Sequence, residues 1–202
     1  MTFSIPVEVE EVLYAAAAAA LPAAVLMPGA LTAAVVDRSR RYTSERDRLA
    51  APADARADLA ARAVFFSVAD AAKVALPLAE LAAQVAWPPA TLRIVDVGAG
   101  CGAMSLGVLA ALHAAGHAPA IELTLLDDDA RALAIARAAL TDLAARWGMA
   151  LTLDVRAGDA RRVTLPPTDL VLAGSVLNEL AEPDAVALAE RLVAVADAAA
   201  GR

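Results

Sequence analysis

The chain of 202 residues has few of the residue types from which metal sites and disulfide frameworks are built: it contains one cysteine and two histidines, and only 3% of its residues are aromatic. One cysteine excludes a disulfide framework within the chain, and with two histidines it excludes a zinc site of cysteine and histidine. We therefore expect no metal. Basic residues are outnumbered by acidic ones, 17 to 24, which gives a net charge of −7. Because nonspecific binding to nucleic acid needs a basic surface, it is disfavoured.

Alanine is the dominant residue, with 57 positions, and 16 of the 17 basic residues are arginine. This bias is typical of a GC-rich genome, so alanine positions carry less information than usual. The length suggests one domain with a small appendage. The composition favours a soluble, cytoplasmic protein.

The longest uncharged run, Val12–Val36, is long enough to span a bilayer. It is mostly alanine, however, and Pro22, Pro28 and Gly29 interrupt it. The preceding segment is acidic, which does not fit a signal peptide. We expect two short helices broken near the prolines, and no membrane contact.

Residues 1–88 form a predicted N-terminal helical region. Its segment Asp37–Arg48 holds five arginines and three acids, which indicates either a small RNA-facing patch or a solvated helix face. Apolar residues recur at helical spacing over Asp58–Leu81. We expect Phe65 and Phe66 to pack in the core.

Residues 89–202 alternate between predicted strands and helices, which indicates an α/β fold with a parallel sheet. The predicted strands are Thr91–Val97, Ile121–Leu126, Leu151–Val155 and Asp169–Ala173. The predicted helices are Ala103–His113, Asp128–Trp147 and Glu182–Ala200.

The first predicted strand ends in a glycine-rich turn, Asp96–Ala103. Glycine allows a tight turn and lets a ligand approach the backbone, and ligands of this fold bind at the carboxyl ends of the strands. The second strand ends in three acids, of which one can accept hydrogen bonds from both ribose hydroxyls; they are Asp127, Asp128 and Asp129. After the third strand, the carboxylate of Asp159, which precedes Ala160, can accept a hydrogen bond from an adenine amino group. The pattern predicts a nucleoside site.

Two cofactors fit the glycine turn. Gly98, Gly100 and Ala103 satisfy a permissive dinucleotide fingerprint. With Asp96 and Gly102 the turn also reads D-x-G-x-G-x-G, which resembles motif I of class I S-adenosylmethionine-dependent methyltransferases. The acid favours the second cofactor, since it can organise the loop and an ammonium group, whereas an anionic pyrophosphate gains nothing from it. Dinucleotide binding and an empty site on a borrowed fold remain as alternatives.

A narrower resemblance rests on Asp169–Leu180, which is similar to the D-L-V…S-x-V-L-N-E-L segment of the mitochondrial small ribosomal subunit methyltransferase-like family, which has bacterial members too. The stretches Ser39–Tyr42 and Leu59–Arg62 resemble the helical lead-in of that family. The resemblance covers most of residues 38–181. The glycine motif is common to a large superfamily, and the segment Leu177–Leu180 narrows the resemblance to this family.

This resemblance implies a Rossmann-like methyltransferase fold, S-adenosylmethionine as cofactor, and association with the small ribosomal subunit or its rRNA. The cofactor residues that it implies are Asp96, Gly98, Ala99, Gly100 and Gly102 at the methionine end, Asp127 and Asp128 at the ribose, Asp159 and Ala160 at the adenine, and Ser175 near the methyl group. Asn178 and Glu179 are the implied catalytic residues. Asn178 either orients an acceptor amine or caps the next helix, and Glu179 either accepts a proton or is solvated.

The chain departs from that family after its fourth predicted strand. A class I methyltransferase sheet has seven strands, and the family's glutamate-proline-glycine turn and later cysteine cluster for an iron–sulfur site are absent. We therefore expect a truncated fold whose fourth strand exposes an apolar edge that invites self-association. The alternative to an enzyme is a ribosome-assembly module that keeps the fold but does not methylate.

Overall fold

The computed structural model describes residues 4–44, 52, 54–85 and 90–200, with side chains as far as residue 196. The predicted domain boundary near residue 88 and positions 45–48 of the charged segment lie outside these ranges. The division into 1–88 and 89–202 stays a prediction.

The N-terminal region begins with three helices: α1 Val7–Ala20, α2 Ala23–Leu26 and α3 Pro28–Thr43. A proline disfavours helical backbone in the residue before it. Accordingly Leu21 and Met27 are extended, with ψ of 152° and 139°, and the predicted breaks near both prolines are confirmed. None of the helices in the described residues has the length and apolar character needed to cross a membrane.

A second helical stretch confirms the predicted helix over Asp58–Leu81. It consists of α4 Ala55–Ala61, a π-helical turn Arg62–Phe66, α5 Ser67–Ala71, a 3-10 turn Ala72–Val74 and α6 Ala75–Ala82. Asp54 caps the start, because its side chain accepts hydrogen bonds from the backbone of Arg56 and Ala57.

The π-helical turn changes which residues face the core. A π turn holds one residue more than an α turn, so it shifts the residues around it out of the 3.6-residue spacing. Phe65 is 50% exposed, so the prediction that it packs in the core is wrong. Phe66 is half-buried.

The C-terminal part is a parallel sheet of four strands in the order β3-β2-β1-β4, which confirms the predicted fold class. The strands are β1 Thr91–Val97, β2 Ala120–Asp127, β3 Leu151–Ala157 and β4 Leu170–Leu172. The helices are α7 Ala103–Ala114, α8 Ala130–Trp147 and α9 Glu182–Ala200. The order reverses between β1 and β4, and ligands of open α/β sheets bind at such a switch point.

Strand β1 is apolar on both sides because both faces of the sheet are covered there. Leu92 and Ile94 belong to the main core, which lies between the sheet and helices α1, α7 and α8. Val95 packs on the opposite face with Leu188 and Leu192 of α9.

The N-terminal helices share the main core with the sheet domain. Helix α1 packs on α8, and α5 packs on α7. The second contact is close enough that a Cβ at Gly107 would overlap the carbonyl oxygen of Ala71. Contact this close fixes α5 against α7, the helix that follows the glycine-rich turn.

Strand β4 lies at one edge of the sheet. Within the described ranges its only strand partner is β1, and Leu170 and Leu172 are buried. Self-association through this edge stays a prediction.

Candidate functional site

A cleft of about 1060 Å³ opens at the carboxyl ends of the strands. This volume is at the upper end of the range of small-molecule sites. The cleft brings together most of the predicted site residues; those that line it are Gly98, Ala99, Gly100, Asp127, Asp128, Asp159, Ala160, Ser175, Asn178 and Glu179. Asp96 and Gly102 do not line it.

The glycine loop needs glycine for its conformation and its contacts. Gly98, Gly100 and Gly102 have φ of +70°, +53° and +88°, a region that strains other residues. A Cβ at Gly98 would lie 2.5 Å from the Cβ of Val176. Gly102 faces Ala136 of α8, where a Cβ would have its nearest neighbour at 3.1 Å, so it packs the loop against the domain and not against the cleft.

Asp127 ties the loop to the end of β2. Its Oδ2 accepts a hydrogen bond from the Gly100 amide at 2.8 Å, and its Oδ1 accepts one from the Asp129 amide at 2.9 Å. Burial raises the pKa of Asp127, and these two amides and Arg62 oppose the rise. Each carboxylate oxygen has further acceptor capacity. The carboxylate can therefore still receive two ligand hydroxyls.

Asp96 lies under the loop and is fully buried. Its Oδ2 accepts hydrogen bonds from the Ser105 amide at 3.2 Å and from the Ser105 hydroxyl at 2.6 Å. Its Oδ1 has no hydrogen-bond partner among the residues described. Burial raises the pKa of Asp96 to about 6. In this structure Asp96 holds the first turn of α7 to β1.

Asp159 is engaged by its neighbour. Arg161 donates to both its carboxylate oxygens, with Nε 2.9 Å from Oδ1 and Nη2 2.8 Å from Oδ2. These bonds lower the pKa of Asp159 to about 2. Arg161 also pairs with Asp184 of α9, which anchors this rim of the cleft.

The segment after β4 forms the opposite wall. Ser175 has φ of +66° and is the one non-glycine residue of the described chain with positive φ, a form of strain that is common at functional sites. Asn178 is exposed in a 3-10 turn, Leu177–Glu179. It does not cap α9, which begins at Glu182.

Glu179 and Tyr42 join this wall to the end of α3. The Tyr42 hydroxyl donates a hydrogen bond to Oε1 of Glu179. Burial, helped by Glu179, raises the pKa of Tyr42 to about 12. Glu179 is exposed, yet it has a protein partner, so it is not merely a solvated residue.

The N-terminal helices contribute cleft residues that were not predicted from the sequence, among them Arg38, Tyr42, Arg62 and Phe66. Their partners are distant in sequence, so no local pattern marks them. The π-helical turn that carries the last two has no recognisable sequence signal.

Arg38 and Arg41 of the charged segment differ from both predictions made for it, whereas the Arg40 side chain is 58% exposed, as expected of a solvated helix face. Arg38 donates to Asp58 at 2.9 Å, and Arg41 pairs with Asp58 and Asp37. The side chains of Arg38 and Arg41 are only 12% and 4% exposed. They are therefore neither an RNA-facing patch nor a solvated face, because they neutralise a buried carboxylate.

Cys101 sits in the loop but packs in the main core, as its position among glycines predicts. Burial raises the pKa of its thiol to about 12, which keeps it protonated and a poor nucleophile. Within residues 4–44, 54–85 and 90–196, no three His, Cys, Asp or Glu side chains are grouped to hold a metal ion.

Comparison with solved structures finds a methyltransferase among its matches. Haemonchus contortus phosphoethanolamine N-methyltransferase 1, in complex with phosphoethanolamine and S-adenosylhomocysteine, is 19% identical at a TM-score of 0.40, over 77% of this chain and 29% of its own. The pyocyanin biosynthetic protein PhzM is 21% identical at a TM-score of 0.42, over 81% of this chain and 44% of its own. This chain thus spans less than half the length of either protein.

Comparison with curated proteins finds no match. The family model described as "Methyltransferase small domain" matches residues 62–173, which run from the π-helical turn through β4 and include the glycine loop. The match covers more than half of the sequence, and the chain therefore belongs to the methyltransferase small domain family.

Proposed function

We propose that the chain is an S-adenosylmethionine-dependent methyltransferase whose cofactor binds in the cleft. The observation that carries the proposal is the hydrogen bond from the Gly100 amide to Asp127, which places a carboxylate beside a glycine loop at the switch point of the sheet. Membership of the family supports it.

The residues present fit this cofactor. Gly98 and Gly100 line the cleft without side chains, so a ligand can approach the backbone of the loop. Asp127 retains acceptor capacity for two ribose hydroxyls, and Asp159 and Ala160 line the same cleft, where we propose that they bind the adenine. A pyrophosphate would meet the carboxylates of this cleft, so the fit is poorer for a dinucleotide.

The bound cofactor would supply a methyl group carried on a sulfonium sulfur. In the transfer, the lone pair of the acceptor would form a bond to the methyl carbon, and the electron pair of the broken C–S bond would remain on sulfur. The chain has to align the acceptor with this bond and exclude water. Asn178 can accept a hydrogen bond from an acceptor N–H and so direct the nitrogen lone pair. Glu179 can take up the proton that a methylated amine releases, and Tyr42 holds it in place.

For the acceptor we propose the class that the sequence resemblance implies, a component of the small ribosomal subunit and first of all its rRNA. Support comes from Asn178, Glu179 and Leu180, part of the segment that carries the resemblance, because they line the cleft. Since the net charge is −7, we expect recognition at the mouth of the cleft and not through a broad basic surface.

Thermal unfolding in the presence of ligands tests the cofactor. S-adenosylmethionine and S-adenosylhomocysteine should raise the midpoint of unfolding with increasing ligand concentration, because they bind the native state only. NAD should not. Stabilisation by NAD, without stabilisation by either S-adenosyl ligand, would indicate that the cleft is a dinucleotide-binding site.

Transfer of a tritiated methyl group tests the acceptor. Isolated small ribosomal subunits, free rRNA and tRNA are each incubated with the protein and labelled S-adenosylmethionine. Label in the rRNA of the subunits supports the proposal. Co-sedimentation with subunits and cofactor binding without label in any acceptor would favour the non-catalytic assembly module.

A further inference from the structure

Arg62 lies over the glycine loop although it belongs to the N-terminal helices. It opens the π-helical turn, and its Nη2 lies 3.3 Å from the position that a Cβ of Gly100 would take. Its side chain is 21% exposed and lines the cleft. A guanidinium in this place faces whatever ligand the loop cradles.

The guanidinium is anchored at one nitrogen. Nη1 donates to Oδ2 of Asp129 at 3.0 Å, whereas Nη2 and Nε make no hydrogen bond to any residue that the structure describes. Asp129 is itself fixed as the cap of α8, where its side chain accepts from the Arg131 amide. The Arg62 side chain is thus oriented by the protein and keeps donors for a ligand.

The other cations that line the cleft have carboxylate partners. Arg38 pairs with Asp58, Lys73 with Asp70, Arg131 with Asp129, and Arg161 with Asp159 and Asp184. Among these cations, Arg62 is the one whose guanidinium lies against Gly100.

An amino-acid ligand needs a cation here. Its carboxylate would be repelled by Asp127, Asp128 and Asp129 at the same rim. A planar guanidinium matches a carboxylate in geometry and charge. A ligand with no carboxylate would give such a group nothing to bind.

We propose that Arg62 binds the α-carboxylate of the methionine moiety of S-adenosylmethionine. This assignment rests on the proposed function and adds to it a residue that recognises the carboxylate of the cofactor. It also makes the N-terminal helices part of the cofactor site.

The test compares S-adenosylmethionine with decarboxylated S-adenosylmethionine, which keeps the sulfonium, the nucleoside and the amine. The dissociation constants of both ligands are measured by calorimetry for the wild type and for Arg62→Gln. We expect the wild type to bind the carboxylated ligand about 10- to 100-fold more tightly, as one charged hydrogen-bonded contact allows, and the ratio to fall to near 1 in the variant.

Arg131→Gln is the matched control, since Arg131 pairs with the same Asp129 but is 59% exposed at its side chain. It should keep the wild-type ratio, which separates a ligand contact from a role in holding Asp129. If Arg62→Gln does not fold, as judged by circular dichroism, Arg62→Lys serves instead. It should lower the ratio several-fold, because one ammonium replaces the two-nitrogen fork.

An unchanged ratio in the Arg62 variant, or a wild-type ratio near 1, would overturn the assignment while leaving the proposed function intact. Failure of the wild type to bind either ligand would overturn the proposed function and the assignment with it.

Discussion

Ser105 donates both its amide and its hydroxyl to a single oxygen of Asp96, the hydroxyl at 2.6 Å. This pair joins the end of β1 to the first turn of α7 and so sets the path of the glycine loop between them. The sequence predicts Asp96 at the methionine end of the cofactor. In the structure Asp96 lies beneath the glycine loop and does not line the cleft, and its bonds to Ser105 support the loop.

The burial of Asp96 should appear as a pH dependence of stability. Its native pKa of about 6 exceeds the ordinary aspartate value of 3.8, so between these pH values the native state keeps a proton that the unfolded chain has lost. The free energy of unfolding should therefore fall as the pH rises from about 4 to about 6, by up to about 3 kcal/mol. Urea denaturation across this range measures the fall, and Asp96→Asn should flatten it. An equally steep fall in the variant would contradict the assignment.

The contact between Gly98 and Val176 should make Gly98→Ala lose cofactor binding. The new Cβ meets Val176 at 2.5 Å and adds strain at φ +70°, so we expect an affinity for S-adenosylhomocysteine at least about 10-fold weaker. Gly148→Ala is the control, because Gly148 has φ +65° and open space around it. It should cost about 1 to 2 kcal/mol of stability and leave the affinity unchanged. Equal losses of affinity in both variants would show that the loss at Gly98 is not specific to the glycine loop.

The close packing of α5 on α7 makes Gly107→Ala destabilising. The added methyl meets the carbonyl oxygen of Ala71, which cannot give way as a side chain can, and we expect a loss of at least about 2 kcal/mol in urea denaturation. Gly29→Ala, in α3 with nothing near it, should be neutral or stabilise by up to about 1 kcal/mol. A neutral Gly107→Ala would contradict a shared core.

Asn178 should affect methyl transfer and not cofactor affinity. It lines the cleft on an exposed turn after β4 and makes no hydrogen bond to the glycine loop or Asp127 within the described residues. Asn178→Ala should lower kcat by about 10-fold or more, the effect of losing one orienting hydrogen bond, while the dissociation constant of S-adenosylhomocysteine stays within about two-fold of the wild type. A parallel loss of affinity would assign Asn178 to the cofactor instead.

The sheet could be predicted from the sequence because its signals are local. β-Branched runs end at glycines or acids, and the predicted bounds of β1 match the observed ones. β4 is shorter than predicted, since Asp169 precedes it and uses its side chain to bind Arg93. The glycine loop and Asp127 at the end of β2 could be predicted for the same reason, because their signals are also local in the sequence.

The N-terminal half of the cleft could not be predicted because its contacts join distant residues. Tyr42 meets Glu179 across 137 positions, and Arg62 meets Asp129 across 67. The π-helical turn shifts the helical phase, so the apolar periodicity that places Phe65 in the core fails there.

The measurement that tests the central claim most directly is calorimetric titration of S-adenosylmethionine into the wild type and Asp127→Asn. The variant keeps the size of the side chain but removes the charge and one acceptor oxygen. Asp154→Asn serves as control, because Asp154 pairs with Arg156 on the exposed part of β3. We predict binding by the wild type and the control, and an affinity at least about 10-fold weaker in Asp127→Asn. Equal affinity in all three proteins, or no binding by the wild type, would contradict a cofactor site built on the glycine loop and Asp127.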